Sequence, residues 1–159
     1  MAQQAAAEKS SPRVRVVPPV YLLAAVAGMI VLAWLVPGPT IIPAPWNWLG
    51  LVPLLGGIGL GAVAARLFAR HKTAIRPGHT SSHLLTAGPY HWTRNPIYVA
   101  MTVLLAGVAL MLGVLTPWLL VPVFVAVIAV NVIPVEEAML GETFGEEYRA
   151  YQARVRRWI

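Results

Sequence analysis

The chain has 159 residues, of which 58% are hydrophobic and only 11% charged, against about 25% charged in ordinary soluble domains. That length suits one domain, and that balance excludes a small water-soluble fold. The net charge of +6 sits beside apolar segments, which points to lipid headgroups rather than nucleic acid, and the absence of cysteine excludes disulfides, thiolate metal sites and a cysteine nucleophile.

Residues 1–17 read as a polar tail with Lys9, Arg13 and Arg15. No charge then occurs until Arg66, and none between Arg94 and Glu136. Each gap is long enough for two membrane spans of about 20 residues and a turn. The first span is expected at about 19–36, closed by Pro37-Gly38-Pro39. It follows a basic start like that of a signal peptide, but no A-x-A cleavage pattern closes it, so it reads as retained. Trp46 and Trp48 suit an interfacial belt. A second span is expected at about 48–68, where Gly57 and Gly61 would let another helix approach closely.

A polar loop, 69–96, comes next. Asn95 followed by Pro96 marks a helix start, because Asn caps well and Pro fits the first helical position. The third span, about 97–113, would therefore open beside Arg94, where free N–H groups and the helix dipole favour a carboxylate or phosphate. An arginine that merely anchors a span is the simpler alternative. The fourth span is expected at about 117–133, ending near Glu136 and Glu137. These carboxylates would hold a cationic amine or ribose hydroxyls, or else cap a following helix. In 135–157, Leu140, Phe144, Tyr148, Tyr151 and Val155 recur at intervals of three and four. With Trp158 in the same series, that spacing describes an amphipathic helix lying along the membrane surface or against the core, which Gly145 would divide. His79 and His83 lie four apart with no carboxylate near them, so no metal is expected.

The basic residues collect in the tails and the 69–96 loop, with Arg66 at the end of the second span. The positive-inside rule then puts both termini and both polar clusters in the cytoplasm. The fold expected is all-α and polytopic, with four transmembrane helices plus a C-terminal amphipathic surface helix, all in one membrane domain over 18–159.

The ordered run Gly88-Pro89-Tyr90, Arg94-Asn95-Pro96, Tyr98, then Glu136-Glu137, Phe144-Gly145-Glu146-Glu147-Tyr148 and Arg154-Val155-Arg156-Arg157 resembles the isoprenylcysteine carboxyl methyltransferase family and its phospholipid methyltransferase relatives. The likeness covers roughly residues 70–159. It implies a bacterial-type enzyme of the inner (cell) membrane that uses S-adenosyl-L-methionine, with a lipophilic small-molecule or lipidated acceptor (carboxylate, amine or thiol) arriving through the bilayer. By position, Ser82, His83, Leu84, Leu85, Tyr90, Arg94, Asn95, Pro96 and Tyr98 would line the cofactor site, and Glu136 or Glu137 would close it. Arg94 and Glu137 would be the catalytic residues, with Tyr90 or Trp92 packed on the adenine. The chain departs from many members in having Asn95 in place of His and Arg156 in place of Pro. It also has no basic residue in Val130–Ile133, where eukaryotic relatives hold the acceptor. Two rival readings are an NADPH-dependent membrane reductase, which shares a similar C-terminal pattern, and a non-catalytic membrane scaffold. The oligomeric state is not readable from these residues.

Overall fold

Long apolar runs bounded by proline and glycine become helices, because a chain surrounded by hydrocarbon must satisfy its own backbone polar groups. In a computed structural model, which describes residues 17–72 and 84–159, every regular element is helical, and the only β pairing is a single bridge between Thr40 and Val114. The helices are α1 (Pro18–Leu35), α2 (Leu51–Lys72), α3 (Pro96–Leu112), α4 (Leu120–Asn131), α5 (Ile133–Phe144) and α6 (Glu146–Arg154). Short 3-10 turns lie at Trp46–Gly50, Gly88–His91 and Thr116–Leu119.

Among the described residues, three helical stretches are long and apolar enough to cross a membrane: Pro18–Leu35, Trp46–Arg70 and Thr116–Phe144. The fourth apolar helix, Pro96–Leu112, is shorter, at 17 residues. Large apolar side chains such as Leu23, Trp34, Val52, Leu55 and Val130 face outward, a surface suited to lipid and costly in water.

The broadest packing is between α2 and α3, and it depends on missing side chains. A Cβ on Gly57 would stand 2.7 Å from both the Ala100 carbonyl oxygen and the Leu104 nitrogen, whereas one on Gly56 would meet nothing within 4 Å. Gly61 faces Ala100 as well, so the Gly57/Gly61 pair expected from the sequence does lie on the helix seam. A second close approach, Gly50 against Gly107, has no i,i+4 partner to announce it. α1 joins this pair through Met29, which is fully buried with Leu105, Phe124 and Ile128.

The two helix ends that meet at Gly113 fix the polarity of the bundle. Gly113 adopts φ +70°, a left-handed C-cap that side chains other than glycine rarely take. Its carbonyl accepts from the Ile41 and Ile42 amides. Pro37–Ile42, Asn47 and Gly113–Thr116 thus share one end of the bundle. The opposite end gathers the start of α1, the end of α2, the start of α3, and α5–α6. Residue 17, Ile159 and the polar clusters all lie at this second end.

The C-terminal region is divided at Gly145, as expected, and lies against the core rather than on the membrane surface alone. The helix interrupted at Val132 resumes as α5 and stops at Gly145, where φ +52° and ψ −119° turn the chain into α6. The apolar face anticipated there is packed against protein: Tyr148, Tyr151 and Val155 cluster with Leu84, flanked by Leu140 and Phe144.

Candidate functional site

The turn at Gly145 and the segment after α6 bring the chain back to the start of α3. Arg94 N donates to Arg156 O at 2.9 Å, while Thr93 Oγ1 and Asn95 Nδ2 both donate to Arg157 O, at 3.1 and 2.9 Å. Asn95 stands at the N-cap position of α3, yet its side chain makes no capping bond. This corrects the expectation for Asn95. Its Nδ2 donates to the Arg157 carbonyl, so the side chain is held for docking the C-terminal segment and its Oδ1 takes no first-turn N–H of α3. Pro96 opens α3, fully buried as an N1 proline.

Arg94 and Glu137 lie on different elements and meet here, each with only 13% of its side chain exposed. Arg94 Nη1 is 3.1 Å from Glu137 Oε1. That distance suits an ion pair, but the contact lacks hydrogen-bond geometry. Neither Nη1 nor Nε of this buried guanidinium has a hydrogen-bond partner among the described residues. Glu137 is instead gripped by Arg157 in a two-pronged pair, Nε to Oε1 at 3.1 Å and Nη2 to Oε2 at 2.5 Å. Both carboxylates of the Glu136-Glu137 pair therefore have partners on other elements. Glu137 answers two arginines, and Glu136 accepts a 2.7 Å hydrogen bond from the Tyr98 hydroxyl.

Tyrosines wall this centre. The Tyr151 hydroxyl donates to Tyr90 O at 2.6 Å, and the Tyr90 hydroxyl reaches Ala64 O on α2 at 3.4 Å. Burial, with Tyr151 and Glu136 nearby, pushes the Tyr90 phenol up to about 12. Burial does the same to Tyr151, also to about 12, against the lowering effect of Arg94. Tyr148 is raised by burial and by the Glu137 charge, and the adjoining Arg94 offsets part of that. All three stay protonated donors at neutral pH.

The remaining expected residues divide into three groups. Leu84 is buried against α6, and Leu85 is half-buried. Trp92 is 76% exposed and stacks on nothing described, whereas Tyr90 is buried. Ser82 and His83 lie outside the described residues. Sequence reasoning missed Arg157, Thr93 and Tyr148 as members of the centre. Arg157 belongs to the Arg154–Arg157 run already singled out, but no role followed from that run. Its partner, Glu137, is 20 residues away across two helices.

Beside Tyr151 lies a cleft of about 180 Å³ lined by Thr86, His91, Arg154 and Val155. A largely apolar groove of about 250 Å³ runs between α1 and α4, lined by Tyr21, Ala24, Gly28, Phe124 and Val127 among others. Tyr21 and Phe124 also pack in the cluster that contains Tyr98.

A family model described as phospholipid methyltransferase matches residues 46–147, well over half of the chain. An uncharacterized protein of Haemophilus influenzae is 40% identical over 63 residues, which are 40% of this chain and the whole of that protein. No solved structure matches.

Proposed function

The chain belongs to the phospholipid methyltransferase family, and we propose that it uses S-adenosyl-L-methionine to methylate a lipophilic acceptor at the cytoplasmic face of a cell membrane. The observation that carries this reading is Arg94: a buried guanidinium whose Nε and Nη1 donors are unfilled, at the start of the helix whose Tyr98 holds the Glu136 carboxylate. A positive edge beside a negative one fits an α-amino-carboxylate group, which bears both charges. Unfilled buried donors cost stability unless a ligand takes them.

In this reading four helices span the bilayer, with α3 the short one. Both termini and the polar end face the cytoplasm, as the placement of basic residues requires. Arg94 holds the cofactor's carboxylate. Glu136 takes its amine or its ribose hydroxyls, and Glu137 keeps the Arg94 guanidinium in place. Leu84, Leu85, Tyr90, Asn95, Pro96 and Tyr98 form the surrounding wall, with Ser82 and His83 contributing from the adjoining loop. When bound, S-adenosyl-L-methionine supplies an electrophilic methyl carbon on a sulfonium, so transfer needs in-line placement of the acceptor more than a strong base. That suits a centre whose tyrosines remain protonated. The α1–α4 groove gives a lipophilic acceptor apolar room beside the bundle.

The test is incubation of purified protein in native-lipid vesicles with S-adenosylmethionine labelled on its methyl group. Label should pass into the organic-extractable fraction, and heat-inactivated protein should transfer none. Label left wholly in the aqueous fraction, with the protein shown to be folded, would contradict a lipophilic acceptor.

A further inference from the structure

We propose that Arg157 is a positioning residue of this centre: by holding Glu137 it fixes Arg94 and preserves a surplus positive charge beside the unfilled Arg94 donors. The inference rests on the reading of Arg94 as the holder of a carboxylate, and it deepens that reading.

Three observations support it. The fork-to-fork contact, with its two hydrogen bonds, belongs to Arg157 and not to Arg94, and such bidentate pairs are the strong, directional ones. Glu137 is therefore oriented by Arg157, and its Oε1 is left 3.1 Å from Arg94 in an ionic contact that uses up no Arg94 hydrogen bond. Charge arithmetic agrees: two guanidinium groups and one carboxylate leave the triad one positive charge. Without Arg157, Arg94 and Glu137 would form a neutral pair. Glu137 would be released to turn its full carboxylate onto the donors that a ligand needs.

The backbone makes the idea testable. The contacts that dock this segment run to the carbonyls of Arg156 and Arg157, from Arg94 N, Thr93 Oγ1 and Asn95 Nδ2. A side-chain substitution at 157 keeps all of them. The Arg157 side chain is itself 44% exposed, so its loss opens no cavity.

The experiment is a double-mutant cycle on the detergent-purified full chain, reading the affinity for radiolabelled S-adenosylmethionine and the kinetic constants. Arg157→Ala should weaken binding on the order of tenfold, the value of one charged hydrogen bond lost in effect. It should raise KM for the cofactor similarly and change kcat by less than about twofold. In a Glu137→Gln background the same substitution should cost less than about threefold, since no carboxylate remains to be held. Arg157→Lys, which keeps charge without the fork, should fall between wild type and alanine, and Arg156→Ala, an exposed neighbour, should bind as wild type does. Equal losses in both backgrounds, or unchanged affinity in Arg157→Ala, would overturn the positioning role while leaving the cofactor reading intact. A wild-type protein without affinity would overturn both.

Discussion

The α2–α3 seam along α3 and the polar knot at its start hold the same helix by opposite means. Along the seam, contact is a matter of shape: Gly57 against Ala100 and Leu104, and Gly50 against Gly107, with backbones close enough that a single methyl group would collide. In lipid, where apolar side chains gain little from leaving their solvent, close backbone packing of this kind drives association. At the knot, contact is a matter of charge and hydrogen bonds: Glu137 between two arginines, Tyr98 on Glu136, and Thr93 and Asn95 on the Arg157 carbonyl. The length of α3 is built to stay closed, and its start to present unfilled donors. Substitutions in the seam should therefore change folding and spare affinity. Substitutions in the knot should do the reverse.

The largest expected effect lies in the knot. The double change Glu136→Gln, Glu137→Gln should reduce methyl transfer to background while the protein still inserts and purifies. A thermal melt checks it: wild type should gain stability from added cofactor by mass action, and the double variant should gain none. A variant that keeps the wild-type increment would remove both carboxylates from the site.

Next in size is Arg94→Ala against Arg66→Ala. Both arginines lie near helix ends, but Arg66 is exposed on α2 and Arg94 is not. Losing a charged hydrogen bond of about 1.5–3 kcal/mol predicts a roughly ten- to hundredfold weaker cofactor affinity for Arg94→Ala alone. Equal losses would mean that both residues only anchor helices.

A comparable but separate effect belongs to the seam. Gly57→Leu should destabilise the bundle by about 1–3 kcal/mol through overpacking, whereas Gly56→Leu, with nothing within 4 Å of its Cβ, should melt like wild type. In both variants the folded protein should keep its cofactor affinity. A fall in affinity at Gly57 without a fall in melting temperature would break the contrast between the two regions.

The smallest effect joins the two regions. Tyr151→Phe removes the 2.6 Å bond to Tyr90 O and should cost about 0.5–1.5 kcal/mol. Because Tyr151 is raised in the folded chain from the ordinary 10 to about 12, the folded state binds the phenolic proton more tightly than the unfolded one. Its contribution is complete below about pH 10 and disappears as pH rises towards about 12. The melting-temperature gap between wild type and Tyr151→Phe should narrow across that window.

Much of the membrane-facing architecture could be read directly, because hydrocarbon allows few alternatives. Two uncharged gaps, Pro and Gly punctuation, and the Gly57/Gly61 spacing point to apolar helices and to one packing face. The knot was legible in its parts. Arg94, Tyr98, Glu136 and Glu137 stood out as charged or polar groups at helix ends. Their pairing was not legible, since it depends on the chain direction after Gly145. A backbone angle of φ +52° and ψ −119° leaves no trace in residue periodicity, and it sends Arg157 back across 20 residues to Glu137. Asn95 and Pro96 do open α3 as their residue types indicate, but the cap bond itself is absent for a related reason. The Asn95 side chain is oriented instead by its Nδ2 donating to the Arg157 carbonyl, 62 positions away.

The central claim is that Arg94 receives the carboxylate of S-adenosylmethionine, and equilibrium dialysis of the labelled cofactor against detergent-purified wild type and Arg94→Ala tests it most directly. Saturable binding by wild type, weakened roughly ten- to hundredfold in a variant that melts within a few degrees of it, is the result predicted from the cost of one charged hydrogen bond. Undiminished binding by Arg94→Ala would contradict the claim.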